Sequence, residues 1–142
     1  MVAGPSAPPA GPGVAPSARI VGVVLSSRAP GRLAAWYRQV LGLRGDDAVL
    51  MAGGVELSFT SRGDIGPTTA EPIRLIPNFH VDDVRVVEAR LVAMEAVWVR
   101  EIEPTPWGMI GTVLDPDGNY VQIVEPDRGP LPWCARERER HS

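Results

Sequence analysis

A chain of 142 residues, 44% hydrophobic and 22% charged, has the size and composition of one soluble domain with enough apolar side chains for a real core. Its formal net charge of −3 provides no basic surface for nucleic acid or anionic lipid, so neither is an expected partner. The lone Cys134 cannot close an internal disulfide and has no metal-site spacing around it, which fits a reducing, cytoplasmic setting.

Residues 1–18, MVAGPSAPPAGPGVAPSA, are rich in proline and alanine and almost without large side chains. Such a segment cannot offset the entropy of ordering by burying surface, so a disordered leader is expected. It lacks the positive start and apolar run of a secretory signal. No later segment approaches the roughly 18 consecutive apolar residues of a membrane span. At the other end, residues 127–142 close with RERERHS and read as a polar, solvated tail.

One domain is expected between them, over 19–126. A strand-like run from Arg19 to Ser26 leads to a helical pattern from Gly31 to Leu41, where Leu33, Trp36, Val40 and Leu41 recur at helical spacing and Gly42 stops the run. The runs AVLMA (48–52) and VELSFT (55–60), parted by Gly53 and Gly54, predict a hairpin. From Arg74 the order returns: strand RLIPNFHV (74–81), helix DVRVVEARLVAME (83–95), strand VWVREI (97–102), the segment Gly108 to Leu114, a DPDG turn at 115–118 and strand NYVQIVE (119–125). The chain thus repeats strand–helix–strand–strand–strand in two modules, 19–61 and 74–126. Neither module alone is large enough to be stable, so the two are expected to pair.

Side chains alternate between the two sides of a strand. Odd positions hold Val21, Val23, Leu25, Val55, Leu57, Phe59, Leu75, Pro77, Phe79, Val81, Val121 and Ile123, which predicts the core face. Even positions hold Gly22, Val24, Ser26, Gly54, Glu56, Ser58, Arg74, Ile76, Asn78, His80, Tyr120, Gln122 and Val124, a face that reads as polar or small and fits the lining of a cleft.

WYRQVLGL (36–43), FHVDDVRVVEARL (79–91) and TPWGMIGTVLDPDGNYVQIVE (105–125) together resemble the vicinal oxygen chelate superfamily, which includes glyoxalase I, extradiol dioxygenases and bleomycin-resistance proteins. The resemblance covers about residues 19–126 and implies an α+β fold of paired βαβββ modules around an open, barrel-like cleft, and a homodimer. It also implies four metal-ligand positions, two per module, which fall on Gly22, Glu56, Ile76 and Gln122. Only Glu56 is a good ligand: Gly22 and Ile76 have no donor, and Gln122 offers a neutral amide oxygen that suits a divalent transition metal poorly. His80 stands about 13 Å along the strand from Ile76, too far to complete the same centre. No cofactor is therefore expected, with a divalent metal as the alternative.

Glu56 without a metal is a candidate general base, or simply a solvated carboxylate paired with Arg74. Ser58, Asn78, His80, Tyr120 and Gln122 are candidate ligand contacts on the cleft face, and Trp107 offers a flat surface for stacking a planar molecule. Trp36 falls on the core side of its helix. The DPDG turn aims the last strand. The expected function is metal-independent binding of a planar or polar small molecule, as in bleomycin resistance; the alternative is a glyoxalase-like lyase, isomerase or dioxygenase that uses a metal or Glu56.

Overall fold

The computed structural model describes residues 17–127. Apart from Ser17, Ala18 and Asp127, the expected leader and tail, with Trp133 and Cys134, lie outside the described residues. In chain order the elements are β1 (Gly22–Ser27), α1 (Pro30–Leu41), β2 (Arg44–Gly45), β3 (Val49–Ala52), β4 (Val55–Ser61), a 3-10 turn (Pro72–Arg74), β5 (Asn78–His80), α2 (Val84–Ala93), β6 (Trp98–Thr105), β7 (Gly108–Leu114) and β8 (Tyr120–Pro126). They form two open four-stranded sheets, in the orders β1-β4-β3-β2 and β5-β8-β7-β6. Each sheet has one parallel pair, β1 with β4 and β5 with β8, and is otherwise antiparallel. This is the α+β, twice-βαβββ architecture that the repeat predicts. Among the described residues, no helix is long and apolar enough to cross a membrane.

Local chemistry explains the helix ends. Pro30 opens α1, where its missing N–H and fixed φ cost nothing. Gly42 ends α1 at φ 67°, in the left-handed region that other residues enter with strain, and its N–H closes on Arg38 O at 2.9 Å. Asp83 caps α2 by accepting from Arg85 N, while Glu125 of β8 reaches across to accept from Val84 N at 2.8 Å. The last strand therefore satisfies a backbone donor of the helix that packs on it.

The core lies between the two sheets and their helices. Leu33, Ala34, Trp36, Tyr37 and Val40 of α1 and Val84, Val87 and Leu91 of α2 are buried, as are Leu50, Leu57 and Phe59 of the first sheet and Val113, Val121 and Ile123 of the second. Full burial of each large apolar side chain contributes about 1.5–3 kcal/mol. Tyr37 sits at the junction, its ring 5.7 Å from Phe59 and 6.0 Å from Phe79, so one chain's two modules share a core. Arg90 of α2 also donates to Val40 O at the end of α1. In β7, Gly111 makes room for Ile102: a Cβ there would lie 2.7 Å from Ile102 Cγ1.

The third strand that the repeat requires of module one is β2, whose two residues are too few to leave a periodic signal of their own. Three expectations change. The expected strand at 74–81 contracts to 78–80, because residues 72–74 turn as a 3-10 helix and Pro77 has no N–H for a ladder. Val21 and Leu75, expected in the core, are 61% and 74% exposed, because both precede the laddered part of their strands. On the even side, Ile110 pairs with Val124 across β7 and β8, and both are buried together with Thr112, so the second sheet is covered on both faces along these inner strands, while Asn78 and His80 of β5 stay exposed.

Candidate functional site

The odd face of the first sheet is only partly covered by helix. Val23, Leu25 and Val55 are half-buried, and with Leu57 and Leu43 they form one wall of a cavity of about 720 Å³. The opposite wall is the segment between the modules, including Pro72, Leu75, Ile76 and Pro77, followed by Asn78, Phe79 and His80 of β5. The volume falls within the range of small-molecule sites, and an apolar wall with a few polar groups is their usual make-up. β1 and β5, each at the edge of its own sheet, both line the cavity.

The polar end is built on Asp115, a buried carboxylate at the start of the DPDG turn. Asp115 Oδ2 accepts from Tyr37 Oη at 2.7 Å and from Asn119 Nδ2 at 2.8 Å. Its Oδ1 accepts from the backbone N–H groups of Asp117 and Asn119, at 2.9 and 3.0 Å. Four donors and no acceptor face this group, so it is the ionised form that fits. Burial pushes its carboxyl above the ordinary value, against the pull of those hydrogen bonds. Burial, reinforced by the neighbouring Asp115 charge, likewise pushes the Tyr37 phenol far above its usual range and keeps it protonated. Thr69 extends the network, donating its hydroxyl to Asn119 Oδ1 and its backbone N–H to Asp117 O. Tyr37, Thr69 and Asn119 all line the cavity.

The expected site residues divide between two places. Asn78, His80 and Ile76 line the cavity, whereas Glu56, Ser58, Trp107, Tyr120 and Gln122 do not. Glu56 is exposed on the even face opposite Gly22 and Met51, and Arg74 pairs with Glu71 at 3.1 Å rather than with Glu56. Ser58 is half-buried opposite Val24. Trp107 is 49% exposed in the β6–β7 turn. Gln122 stands opposite Asn78 and Thr112, so the parallel register makes Asn78, not Ile76, its cross-strand neighbour. The four metal positions thus bring one carboxylate and no imidazole. Among the described residues, no three His, Cys, Asp or Glu side chains converge. This donor set does not fit a catalytic divalent metal.

A family model described as a glyoxalase-like domain matches residues 22–124, which run from the first residue of β1 into β8 and include both helices. The chain belongs to the glyoxalase-like domain family. Among curated proteins no relative matches. Solved structures share the glyoxalase-like fold at low identity. A glyoxalase/bleomycin resistance protein/dioxygenase family enzyme from Burkholderia phytofirmans PsJN superposes with a TM-score of 0.60 and 18% identity, over 76% of this chain and 98% of its own. TnmS3, an antibiotic binding protein from Streptomyces sp. CB03234, gives 0.59 and 20%, over 78% and 97%. Oxidase ChaP-H1 gives 0.64 and 18%, over 80% and 100%.

The sequence did not signal Tyr37, Thr69 or Asn119 as site residues. The one available cue was Tyr37 itself, a hydroxyl on the buried face of a helix, which needs a partner somewhere in the fold.

Proposed function

We propose that this glyoxalase-like domain is a metal-independent binding protein that holds a planar or polar small molecule in the 720 Å³ cavity between the first sheet and the intermodule segment. The observation that carries this reading is an apolar cavity wall joined to a hydrogen-bonded polar end, with no cluster of metal-ligating side chains among the described residues. The likeness to an antibiotic binding protein supports the same class of activity. A homodimer belongs to the reading as well. On the even face Val24 and Met51 are 66% and 41% exposed, and a second copy would remove them from water.

A thermal-shift screen of planar compounds, run beside metal analysis of the purified protein, tests the proposal. A compound that binds only the folded state must raise the melting temperature. The shift should survive a chelator and disappear in Leu25→Trp, which places an indole in the cavity. Stoichiometric transition metal, or a shift unchanged by Leu25→Trp, would overturn it.

A further inference from the structure

The segment between the modules is lightly anchored. At one end the Arg62 N–H donates to Ser27 O at 3.0 Å, and at the other Pro77 O accepts from Gln122 N at 3.0 Å. Over residues 62–77 no side chain is fully buried, and no apolar one joins the core or packs against it. The ion pairs of Arg62 with Asp64 and Arg74 with Glu71 are internal to the segment. Between Arg62 and Ile76 the hydrogen bonds to the rest of the domain are, among the described residues, both made by Thr69: its hydroxyl donates to Asn119 Oδ1 and its N–H to Asp117 O at 2.8 Å. The receiving side is fixed. Asn119 donates both Nδ2 and its backbone N–H to the buried Asp115, which Tyr37 of α1 holds from behind. Gly118, at φ 80°, brings the turn so near that a Cβ there would lie 3.6 Å from Thr68 Cβ.

From this placement we infer, resting on the binding function above, that residues 63–76 are a strap that opens to admit a ligand to the cavity and closes over it, with Thr69 as its latch on the DPDG turn. The two walls of the cavity differ in how they are held. Leu57 belongs to the core, and Val23, Leu25 and Val55 beside it sit on laddered strands. Pro72, Leu75 and Ile76 face them from the strap, and Leu75 keeps most of its surface in water although it lines the cavity. An apolar ligand between the walls gives Leu75 a surface to pack on, so an occupied cavity favours the closed strap. Opening breaks the two bonds of Thr69 and uncovers no core side chain, so it occurs well below the free energy of global unfolding.

Two measurements on the full chain, without ligand, test the strap. In native-state hydrogen exchange the Thr69 N–H should exchange through a local opening that low urea does not accelerate, while the amides of β7 and β8 exchange on global unfolding and respond steeply. Access to the cavity is read by a thiol. In a Cys134→Ser background, Val23→Cys lines the cavity and Val92→Cys stands exposed on α2 as the control. Iodoacetamide should modify Val23→Cys more slowly than Val92→Cys. Adding Thr69→Val should speed Val23→Cys about fivefold, the worth of one hydrogen bond, with Thr69→Ser at the original rate and Val92→Cys unmoved. A Thr69 amide that follows the urea dependence of β8, a Val23→Cys thiol as reactive as the control, or a rate that Thr69→Val leaves unchanged would overturn the strap. Because neither measurement uses a ligand, those outcomes leave the binding function to its own thermal-shift test.

Discussion

The two modules repeat the same order of elements but are closed to different degrees. In the second, Val113, Val121 and Ile123 are fully buried on the core side, and Ile110, Thr112 and Val124 are buried on the other. In the first, Val23, Leu25 and Val55 open onto the cavity, and Val24 and Met51 face solvent. The inner strands of the second sheet are scaffold on both sides, and the odd face of the first sheet is one wall of the site, opposite residues 72–80. A repeat can thus keep its order of elements while one copy supplies stability and the other leaves apolar surface available to a ligand.

Truncation on the two sides measures this contrast most directly. Ile123→Ala should destabilise the protein by about 2–5 kcal/mol in urea denaturation, because it opens a hole in a closed core. Leu25→Ala, which removes a half-buried side chain already bordering an opening, should cost clearly less while weakening any ligand that binds there. Equal costs would dissolve the distinction between scaffold and wall.

Tyr37 joins the two regions, and Tyr37→Phe should cost about 1–3 kcal/mol near neutral pH by leaving the buried Asp115 without one of its donors. The same change sharpens the alkaline behaviour. An unfolded tyrosine loses its proton near pH 10, whereas burial keeps Tyr37 protonated beyond that point. The unfolded state then binds fewer protons, so stability present below about pH 10 is lost as pH rises, by up to about 1.4 kcal/mol per unit for this group. The chain has no lysine to obscure that limb. Urea titrations between pH 9 and 11 should show a slope shallower by one proton in Tyr37→Phe.

The smallest effect is expected at the segment between the modules. Arg74 and Glu71 are both largely exposed, and exposed ion pairs contribute little at the median. Arg74→Gln should leave the urea midpoint unchanged within error; a large shift would mean that the segment is part of the scaffold.

Much of the architecture was legible in the chain. Helical spacing in 31–41 and 83–95, strict alternation in 55–60, the apolar strand pattern of 119–125 and the turn residues at 115–118 gave the repeat and its order of elements. The closing motif led to the family. The candidate site was less legible, because alternation assigns a residue to one of two faces and says nothing about what covers that face. Leu25 and Ile123 have the same parity, yet one borders a cavity and the other is sealed. Asn78 became the neighbour of Gln122 only through the parallel register of β5 and β8.

By itself, then, the sequence determined the two helices, the order of the longer strands and the parity of their side chains, since these depend on side-chain chemistry and short-range spacing. Only the tertiary structure decided where the apolar surface stays uncovered and which groups meet at its polar end. Thr69, Tyr37, Asp115 and Asn119 come from three separate stretches of chain, and their contacts form only when α1 packs between the two sheets and the intermodule segment folds back onto the DPDG turn.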